Sequence, residues 1–380
     1  RALLGKLLSE ITPGDLNRFL FTLGGADANE NAIKLARAYT GRHKILARYR
    51  SYHGATAGAM AATGDPRRLA WEPNLMPGVV HFLDPYRYRS TFHRTNPHIS
   101  EADFALDYLN HLEEIIQYEG PQTIAAILLE TVTGTNGVII PPQGYLQGVR
   151  QLCDHYGILL IADEVMSGFG RTGRWFAVDH WNVVPDLMTM AKGLTSGYAP
   201  LGAVAMRPEI AEFFKDRVYQ GGLTYNAHPI SLAAAVANIR VMQEDRLVEH
   251  AAQMGPVLHR MLTDLGEQHP SVGEARSIGL FGILELVREF GTPLYVMDEA
   301  CIRQKCRDLR EAYEKRYPNS LMLFAAKAFM NMAICRIMDE EGMGLDLSSG
   351  GELYTALKAG FPLERVGYLD FTLEVQGVIE

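Results

Sequence analysis

The sequence lacks the marks of several protein classes. None of its apolar runs approaches the roughly 20 residues that a membrane-spanning helix needs. Lysine and arginine (36) are outnumbered by aspartate and glutamate (44), and no basic stripe of the kind that nucleic-acid binders carry is evident. The opening segment, RALLGKLLSEI, has mixed charge and lacks the regions of a signal peptide. We therefore expect neither a membrane nor a nucleic acid as a partner.

Cysteine is also scarce. The four cysteines, Cys153, Cys301, Cys306 and Cys335, form no C-x-x-C pair and lie near no evident histidine ligands. This pattern predicts buried free thiols in a reducing compartment, hence a cytoplasmic protein, and no metal site. The chain begins at Arg1 in the middle of an amphipathic pattern, so we expect that part of the natural N-terminus is absent.

Apolar strands alternate with amphipathic helices along the first two thirds of the chain, which predicts an α/β domain with a largely parallel sheet. Between them, residues 71–100 are rich in Pro, His, Tyr and Arg and are predicted to form a long loop. Four residues that could bind a ligand or take part in a reaction lie at or just after predicted strand ends: Gly25, Glu130, Asp163 and Lys192. Because ligands of such sheets bind beyond the carboxyl ends of the strands, this placement favours a site there.

Asp163 and Lys192 suit the cofactor pyridoxal 5'-phosphate (PLP). A carboxylate at position 163 could cap a helix, or it could keep a pyridine nitrogen protonated and so strengthen the electron sink of PLP. Lys192 is followed by Gly193 and Gly197, a tight loop that a solvated surface lysine does not need. It could form a Schiff base with PLP and then move a proton. We expect it to be buried, since burial favours the neutral amine.

Three further features fit the same chemistry less specifically. Gly24 and Gly25 precede a predicted helix, whose N-terminal N–H groups could bind a phosphate. Tyr52 could be a core residue or could stack on a flat ring. Glu130 ends a buried strand, where a carboxylate is costly unless it has a partner.

Several segments together resemble the class III (ornithine/GABA/ω-amino acid) aminotransferases over about residues 1–289. The matching text is GGADANENAIKLAR, RSYHGAT, ILLETVTGTNGVIIPP, LLIADEVMSGFGRTGRWFA, PDLMTMAKGLTSGYAPLGAV and GLTYNAHPISLAAA. The resemblance implies PLP as cofactor and the fold-type I architecture, a large α/β domain with a mainly parallel sheet and a smaller domain. It also implies an amine or ω-amino acid donor and a 2-oxo acid acceptor such as pyruvate.

The resemblance also assigns roles by position. The catalytic residues it implies are Lys192, Asp163 and Glu130. The cofactor-binding residues it implies are Gly25, Ala26, Tyr52, Asp163, Val165, Lys192 and Thr224. Gly25 and Ala26 would hold the phosphate, Tyr52 would stack on the ring, and Val165 would pack on its other face. Thr224 would reach the phosphate of the neighbouring subunit, which implies a homodimer with shared sites.

One local departure bears on the substrate. Met166 stands where many family members have Gln, a feature more usual among the ω-amino-acid enzymes. The long loop DPYRYRSTFHRTNPH and the segment EGPQTIAAILLE resemble the taurine/β-alanine:pyruvate branch.

Residues 290–366 resemble a different PLP family, the N-terminal part of diaminopimelate decarboxylase. Lys327 in FAAKA stands where that family has its Schiff-base lysine, with Phe324 where Tyr is usual, and the D-x-x-SGGEL motif runs from Asp346 to Leu353. We therefore expect a truncated small domain followed by a partial (β/α) barrel-like segment. The predicted boundaries are 1–16 for a remnant N-terminal helix, 17–240 for the large PLP-binding domain, 241–289 for the start of the small C-terminal domain and 290–380 for the barrel segment.

Three functions are compatible with these resemblances. The first is a PLP-dependent transaminase acting through Lys192. The second is a diaminopimelate-type decarboxylase acting through Lys327. The third is an inactive PLP-binding chimera or fragment, because family segments are missing from both ends of the aminotransferase part.

Overall fold

The computed structural model describes residues 1–90, 92–93, 96, 98–286 and 298–368. The chain separates into two compact units, Arg1–Glu289 and Phe290–Glu380. No helix among the described residues is long and apolar enough to cross a membrane.

A seven-stranded sheet forms the centre of the first unit, in the order β1-β7-β6-β5-β4-β2-β3. The strands are β1 (Arg18–Thr22), β2 (Lys44–Arg48), β3 (Val79–Phe82), β4 (Ile124–Glu130), β5 (Leu159–Asp163), β6 (Leu187–Met190) and β7 (Gly202–Met206). Strands β3, β2, β4, β5 and β6 run parallel, whereas β7 runs antiparallel to both of its neighbours. The prediction of an α/β fold with a mainly parallel sheet is therefore confirmed.

Helices cover both faces of this sheet. They are α1 (Ala2–Ile11), α2 (Gly25–Thr40), α3 (Ala57–Ala62), α4 (Glu101–Glu119), α5 (Tyr145–Tyr156), α6 (Pro208–Phe213), α7 (Pro229–Glu244) and α8 (Leu247–Gln268). Successive strand residues enter opposite cores: Leu160 packs with α4 and α5, while Ile161 packs with α2. This alternation follows from the two-residue repeat of a strand. Helix α2 consequently lies over the middle strands, and its first turn lies beside their carboxyl ends.

The predicted loop at 71–100 is wrong in one place, because it contains the edge strand β3. Residues 79–82 pair in parallel with β2 from Ile45 to Arg48. The strand is only four residues long, and Pro77-Gly78 and Asp84-Pro85 flank it closely. Such a short segment between turn residues gives too few positions for a strand pattern to be seen.

A small two-stranded sheet follows α8. Strand β8 (Val272–Ile278) pairs antiparallel with β9 (Phe281–Leu286), and α8 packs against both. Strand β9 lies in the apolar stretch that follows Gly279. Strand β8 was missed because its sequence, VGEARSI, is largely polar and carries no apolar alternation.

The described residues of the second unit, 298–368, include three parallel strands, β10 (Leu323–Ala325), β11 (Gly344–Leu347) and β12 (Val366–Tyr368). Its helices are α9 (Glu299–Glu314), α10 (Met332–Glu340) and α11 (Gly350–Ala359). One face of this sheet, with Phe324, Leu345 and Leu347, belongs to the hydrophobic core of the unit. These parallel strands alternate with helices along the chain, which agrees with the predicted barrel-like segment. The opening residues of the segment predicted at 290–380, residues 290–297, lie outside the described part.

Candidate active site

Three polar residues stand side by side at the carboxyl ends of the central strands. Glu130 on β4 pairs with Asp163 on β5, and Asp163 pairs with Thr189 on β6. Paired residues share one face of a sheet and lie about 5 Å apart. Their face is the one covered by α2, since Ile161 and Leu187 on the same face pack against that helix. The sequence prediction placed Glu130 and Asp163 here but not Thr189.

Asp163 is almost fully buried, with only 3% of its surface exposed, and its carboxylate accepts three hydrogen bonds. Asn29 Nδ2 donates to Oδ2 over 2.8 Å, and His53 Nδ1 lies 2.8 Å from the same oxygen. The backbone N–H of Val165 donates to Oδ1 over 3.0 Å. An ionised carboxylate offers about four acceptor positions. The three contacts therefore stabilise the charged form and leave room for one further donor.

Asn29 and His53 are the functional candidates that the sequence prediction missed. Asn29 lies on the buried side of α2, and its amide also contacts the hydroxyl of Thr189 and the carbonyl oxygen of His53, both at 2.8 Å. A polar residue among the buried alanines of a helix needs a partner, and that requirement was the available signal. His53 carries no such signal, because the strand-to-helix connection after β2 shows no periodicity.

Glu130 is buried as well, and it receives the partners that its position requires. The backbone N–H groups of Tyr52 and Gly134 donate to its two carboxylate oxygens over 3.0 and 2.7 Å. Burial raises the pKa of the Glu130 carboxyl above its ordinary value, and the nearby His53 opposes that shift. Glu130 therefore holds the Tyr52 loop against the end of β4 and presents a carboxyl that protonates more readily than one in water.

The first turn of α2 packs closely on the chain that follows β5. A Cβ atom added to Gly25 would lie 2.8 Å from a methyl carbon of Val165, and one added to Gly54 would lie 2.4 Å from Cβ of Ala26. Both glycines thus allow an approach that any side chain would prevent. The N–H groups of a first helical turn have no partners within the helix. A phosphate could accept hydrogen bonds from them at Gly25 and Ala26.

Tyr52 has one covered ring face. The guanidinium carbon of Arg67 lies 3.9 Å from the ring centroid, and Arg67 is itself held by an ion pair with Asp65. A cation over an aromatic face is attracted by the ring electrons. The opposite face of Tyr52 is the one that a flat cofactor ring could use.

Lys192 lies in a single helical turn directly after β6, three residues beyond Thr189. Contrary to the expectation of burial, its side chain is exposed, because the chain has passed the edge of the sheet there. Its φ of 41° is left-handed, which costs a residue with a Cβ atom about 1 kcal/mol. Asn238 on α7 donates to the carbonyl oxygen of Gly193 over 2.8 Å and holds this loop in place.

Thr224, unlike the other candidates, follows no strand of the central sheet. It is exposed on the segment between α6 and α7, and no hydrogen bond among the described residues joins it to Asp163 or Gly25.

The residues present fit PLP. A buried Asp163 with one free acceptor position suits a protonated ring nitrogen, and the Gly25 turn suits a phosphate. The ring face of Tyr52 opposite Arg67 suits a flat ring. Lys192 follows the strand beside Asp163 and would supply an amine to the aldehyde.

Two family models match the chain. The model of the family "Aminotransferase class-III" matches residues 2–304. The model of "Pyridoxal-dependent decarboxylase, pyridoxal binding domain" matches residues 299–375. Both parts of the resemblance seen in the sequence are thereby confirmed. The pyridoxal binding domain and a similar solved structure that contains PLP also support PLP as the cofactor.

The curated relatives are aminotransferases. A probable aminotransferase of Mycobacterium tuberculosis is 39% identical over 305 residues, which cover 78% of this chain and 64% of the relative. A taurine–pyruvate aminotransferase of Bilophila wadsworthia is 36% identical over 76% of this chain and 64% of its own length. The chain thus spans less than two thirds of the length of these relatives.

A solved structure agrees with these matches. The taurine:2-oxoglutarate aminotransferase from Bifidobacterium kashiwanohense, solved with PLP and glutamate, is 47% identical with a TM-score of 0.73. The match covers 81% of this chain and 70% of that one. With a family match over four fifths of its residues and a shared fold, the chain belongs to the class III aminotransferase family.

Proposed function

We propose that the chain is a PLP-dependent transaminase that moves an amino group from an amine or ω-amino acid to a 2-oxo acid such as pyruvate. The observation that carries the proposal is the buried, triply hydrogen-bonded carboxylate of Asp163 between Glu130 and the strand that leads to Lys192. The left-handed φ of Lys192, directly after β6, supports a functional role for this residue, because strained residues concentrate at active sites.

Each residue has a task that its surroundings support. When bound, PLP supplies an electron sink that stabilises negative charge at the carbon losing a proton. Asp163 holds a proton on the ring nitrogen, because its charged form attracts that proton. Lys192 would hold the aldehyde through its amine and, when free, would take and return the proton at the reacting carbon. Tyr52 and Val165 would hold the ring, and Gly25 and Ala26 would bind the phosphate. Glu130 fixes the Tyr52 loop through its N–H.

The substrate class follows from the relatives and from Met166. Similar proteins are putrescine–pyruvate, taurine–pyruvate and taurine:2-oxoglutarate aminotransferases, each named for an amine whose carbon chain ends in a second charged group or amine. The thioether of Met166 contributes an apolar side chain close to Gly134, in the loop after Glu130. These features support an amine or ω-amino acid donor.

A second copy of the chain is proposed to complete the site. Tyr198 and Ile230 are 87% and 70% exposed and line a cleft of about 610 Å³ together with Leu23, two residues before Gly25. Tyr225, the neighbour of Thr224, lines the same cleft. An exposed apolar surface beside a phosphate-binding turn favours a homodimer in which Thr224 reaches the partner's site. The free thiols of all four cysteines support a cytoplasmic location.

A half-reaction tests the proposal. The chain is loaded with PLP and mixed with an amine donor in the absence of any oxo acid, and the change in cofactor absorption is followed together with the carbonyl product. We expect stoichiometric product and recovery of the original absorption on adding pyruvate. A chain that binds PLP but yields no product would instead be the inactive PLP-binding chimera or fragment.

The second candidate, decarboxylation through Lys327, rests on the match over residues 299–375. Lys327 is exposed in the turn after β10, and its unit has three described strands. Release of carbon dioxide from a 2,6-diamino diacid would support this candidate. We keep 289/290 as the proposed boundary between the two resemblances.

A further inference from the structure

Two buried side chains contact the carboxylate of Asp163. Two side chains from separate elements converge on one oxygen, Oδ2: Asn29 from α2 and His53 from the connection between β2 and α3. Both are about 98% buried or more, so water does not screen these contacts. Each hydrogen bond to the charged carboxylate is consequently strong.

The direction of every hydrogen in this group is determined. The hydroxyl of Thr189 donates to Asn29 Oδ1, so the amide hydrogens of Asn29 must point the other way. One of them is donated to the carbonyl oxygen of His53 and the other to Asp163. Since an ionised carboxylate only accepts, the hydrogen between His53 and Asp163 belongs to Nδ1 of the histidine. Thr189 therefore donates to Asn29, and Asn29 and His53 each donate to Asp163.

The other nearby carboxylate does not compete for His53. Glu130 takes its two hydrogen bonds from the backbone of Tyr52 and Gly134. The backbone N–H of His53 is donated to Thr63 Oγ1 over 2.9 Å, which fixes the position of the residue. The ring of His53 is thus directed at Asp163 by its own backbone and by the burial around it.

We propose that His53 and Asn29 are positioning residues that keep Asp163 charged, so that the proton it shares with PLP stays on the pyridine nitrogen. Donors to a carboxylate make it a weaker base. Without them the carboxylate would compete for the shared proton and leave the ring nitrogen less positive, which weakens the electron sink. The inference rests on the proposed function, because it takes Asp163 as the partner of that nitrogen.

Matched pairs of variants separate this role from simple packing. His53→Leu keeps the approximate volume without a donor, whereas His53→Asn keeps an N–H close to the position of Nδ1. Thr189→Val removes the hydroxyl that orients Asn29, and Thr189→Ser keeps it. His81→Phe is the control, because His81 is a half-buried histidine on β3 that stacks on Tyr49 and has no hydrogen bond to Asp163 among the described residues.

The decisive measurement is the NMR resonance of PLP labelled at its ring nitrogen, read in each holoprotein without an amine donor. We expect a pyridinium-like resonance in the parent, His53→Asn, Thr189→Ser and His81→Phe. It should move toward the neutral-pyridine position in His53→Leu and Thr189→Val, with kcat about 10-fold lower, equivalent to ~1.4 kcal/mol, and KM for the amine little changed. Because the resonance is read without turnover, failure of transamination would leave this result intact.

An unchanged resonance in both His53→Leu and Thr189→Val would overturn the proposal, even if PLP affinity or stability fell. Such a result would mean that the two residues only support the fold. If His53→Leu does not fold, Thr189→Val decides alone, since it is nearly isosteric and lies within a buried strand.

Discussion

Asn238 holds the loop that carries Lys192 through Gly193. Its Nδ2 lies 2.8 Å from the carbonyl oxygen of Gly193 and 3.2 Å from that of Leu194, while Ser196 donates to its Oδ1 over 2.7 Å. Helix α7 thereby fixes a loop in which Lys192 has a left-handed φ. A strained loop of this kind persists only where its surroundings hold it.

Replacing Asn238 with Leu should therefore release the loop. We expect about 30-fold weaker PLP binding, measured by titrating the absorption of the bound cofactor, because the two hydrogen bonds that Asn238 Nδ2 donates to the loop, worth about 1 kcal/mol each, are lost. Ser196→Ala removes only the contact to Oδ1 and should have a smaller effect. Equal PLP affinity in Asn238→Leu and the parent would show that the loop keeps its shape without Asn238.

Replacing Asp163 with Asn should remove the charge beside the ring nitrogen and keep the shape. We expect the transamination rate to fall at least about 100-fold, because the electron sink is weakened. Thermal unfolding should show that the variant is folded. The variant should still bind PLP. Activity within a few-fold of the parent would rule out the role assigned to Asp163.

Replacing Ile230 with Glu should weaken the proposed dimer. The side chain is 70% exposed in the single chain, so the change should be tolerated in the monomer, whereas a buried charge at an interface is costly. We expect sedimentation to show a lower dimer fraction and activity to fall with it. Thr224→Ala should weaken PLP binding without altering association. A monomeric chain with full activity would contradict the shared site.

Burial, with Arg68 as the next cause, lowers the pKa of His81 to about 4. A depressed pKa contributes stability above the unfolded value of 6.5, and this contribution is lost as the pH falls toward 4. In His81→Phe the free energy of unfolding should fall less over that interval, by at most about 3 kcal/mol. The exposed His250, changed to Gln, is the control. Parallel pH profiles for His81→Phe and the parent would refute the assignment.

The sequence predicted the sheet and the positions of Glu130, Asp163 and Lys192 because strand ends can be read from buried apolar runs and turn residues. It missed β3, which is too short for a pattern, and β8, which is largely polar. It also missed Asn29, His53 and Asn238. Their partners lie far away along the chain, 134 residues in the case of Asn29 and Asp163, so only the tertiary packing of helices and connections brings them together. The exposure of Lys192 likewise depends on where the chain leaves the sheet.

Lys192 and Lys327 both stand where a PLP family has its Schiff-base lysine, but we expect opposite results when each is replaced. Lys192 follows β6, the strand paired with β5 and its Asp163, which would hold the ring nitrogen. Lys327 follows β10 in a unit whose described sheet has three strands, whereas a barrel site takes its contacts from the ends of many strands. We therefore expect Lys192→Ala to abolish transamination and Lys327→Ala to leave PLP content and rate unchanged. Borohydride reduction and peptide mapping should place the pyridoxyl group on the peptide containing Lys192. If Lys327→Ala lost the cofactor while Lys192→Ala retained it, the second unit would be the site of PLP binding.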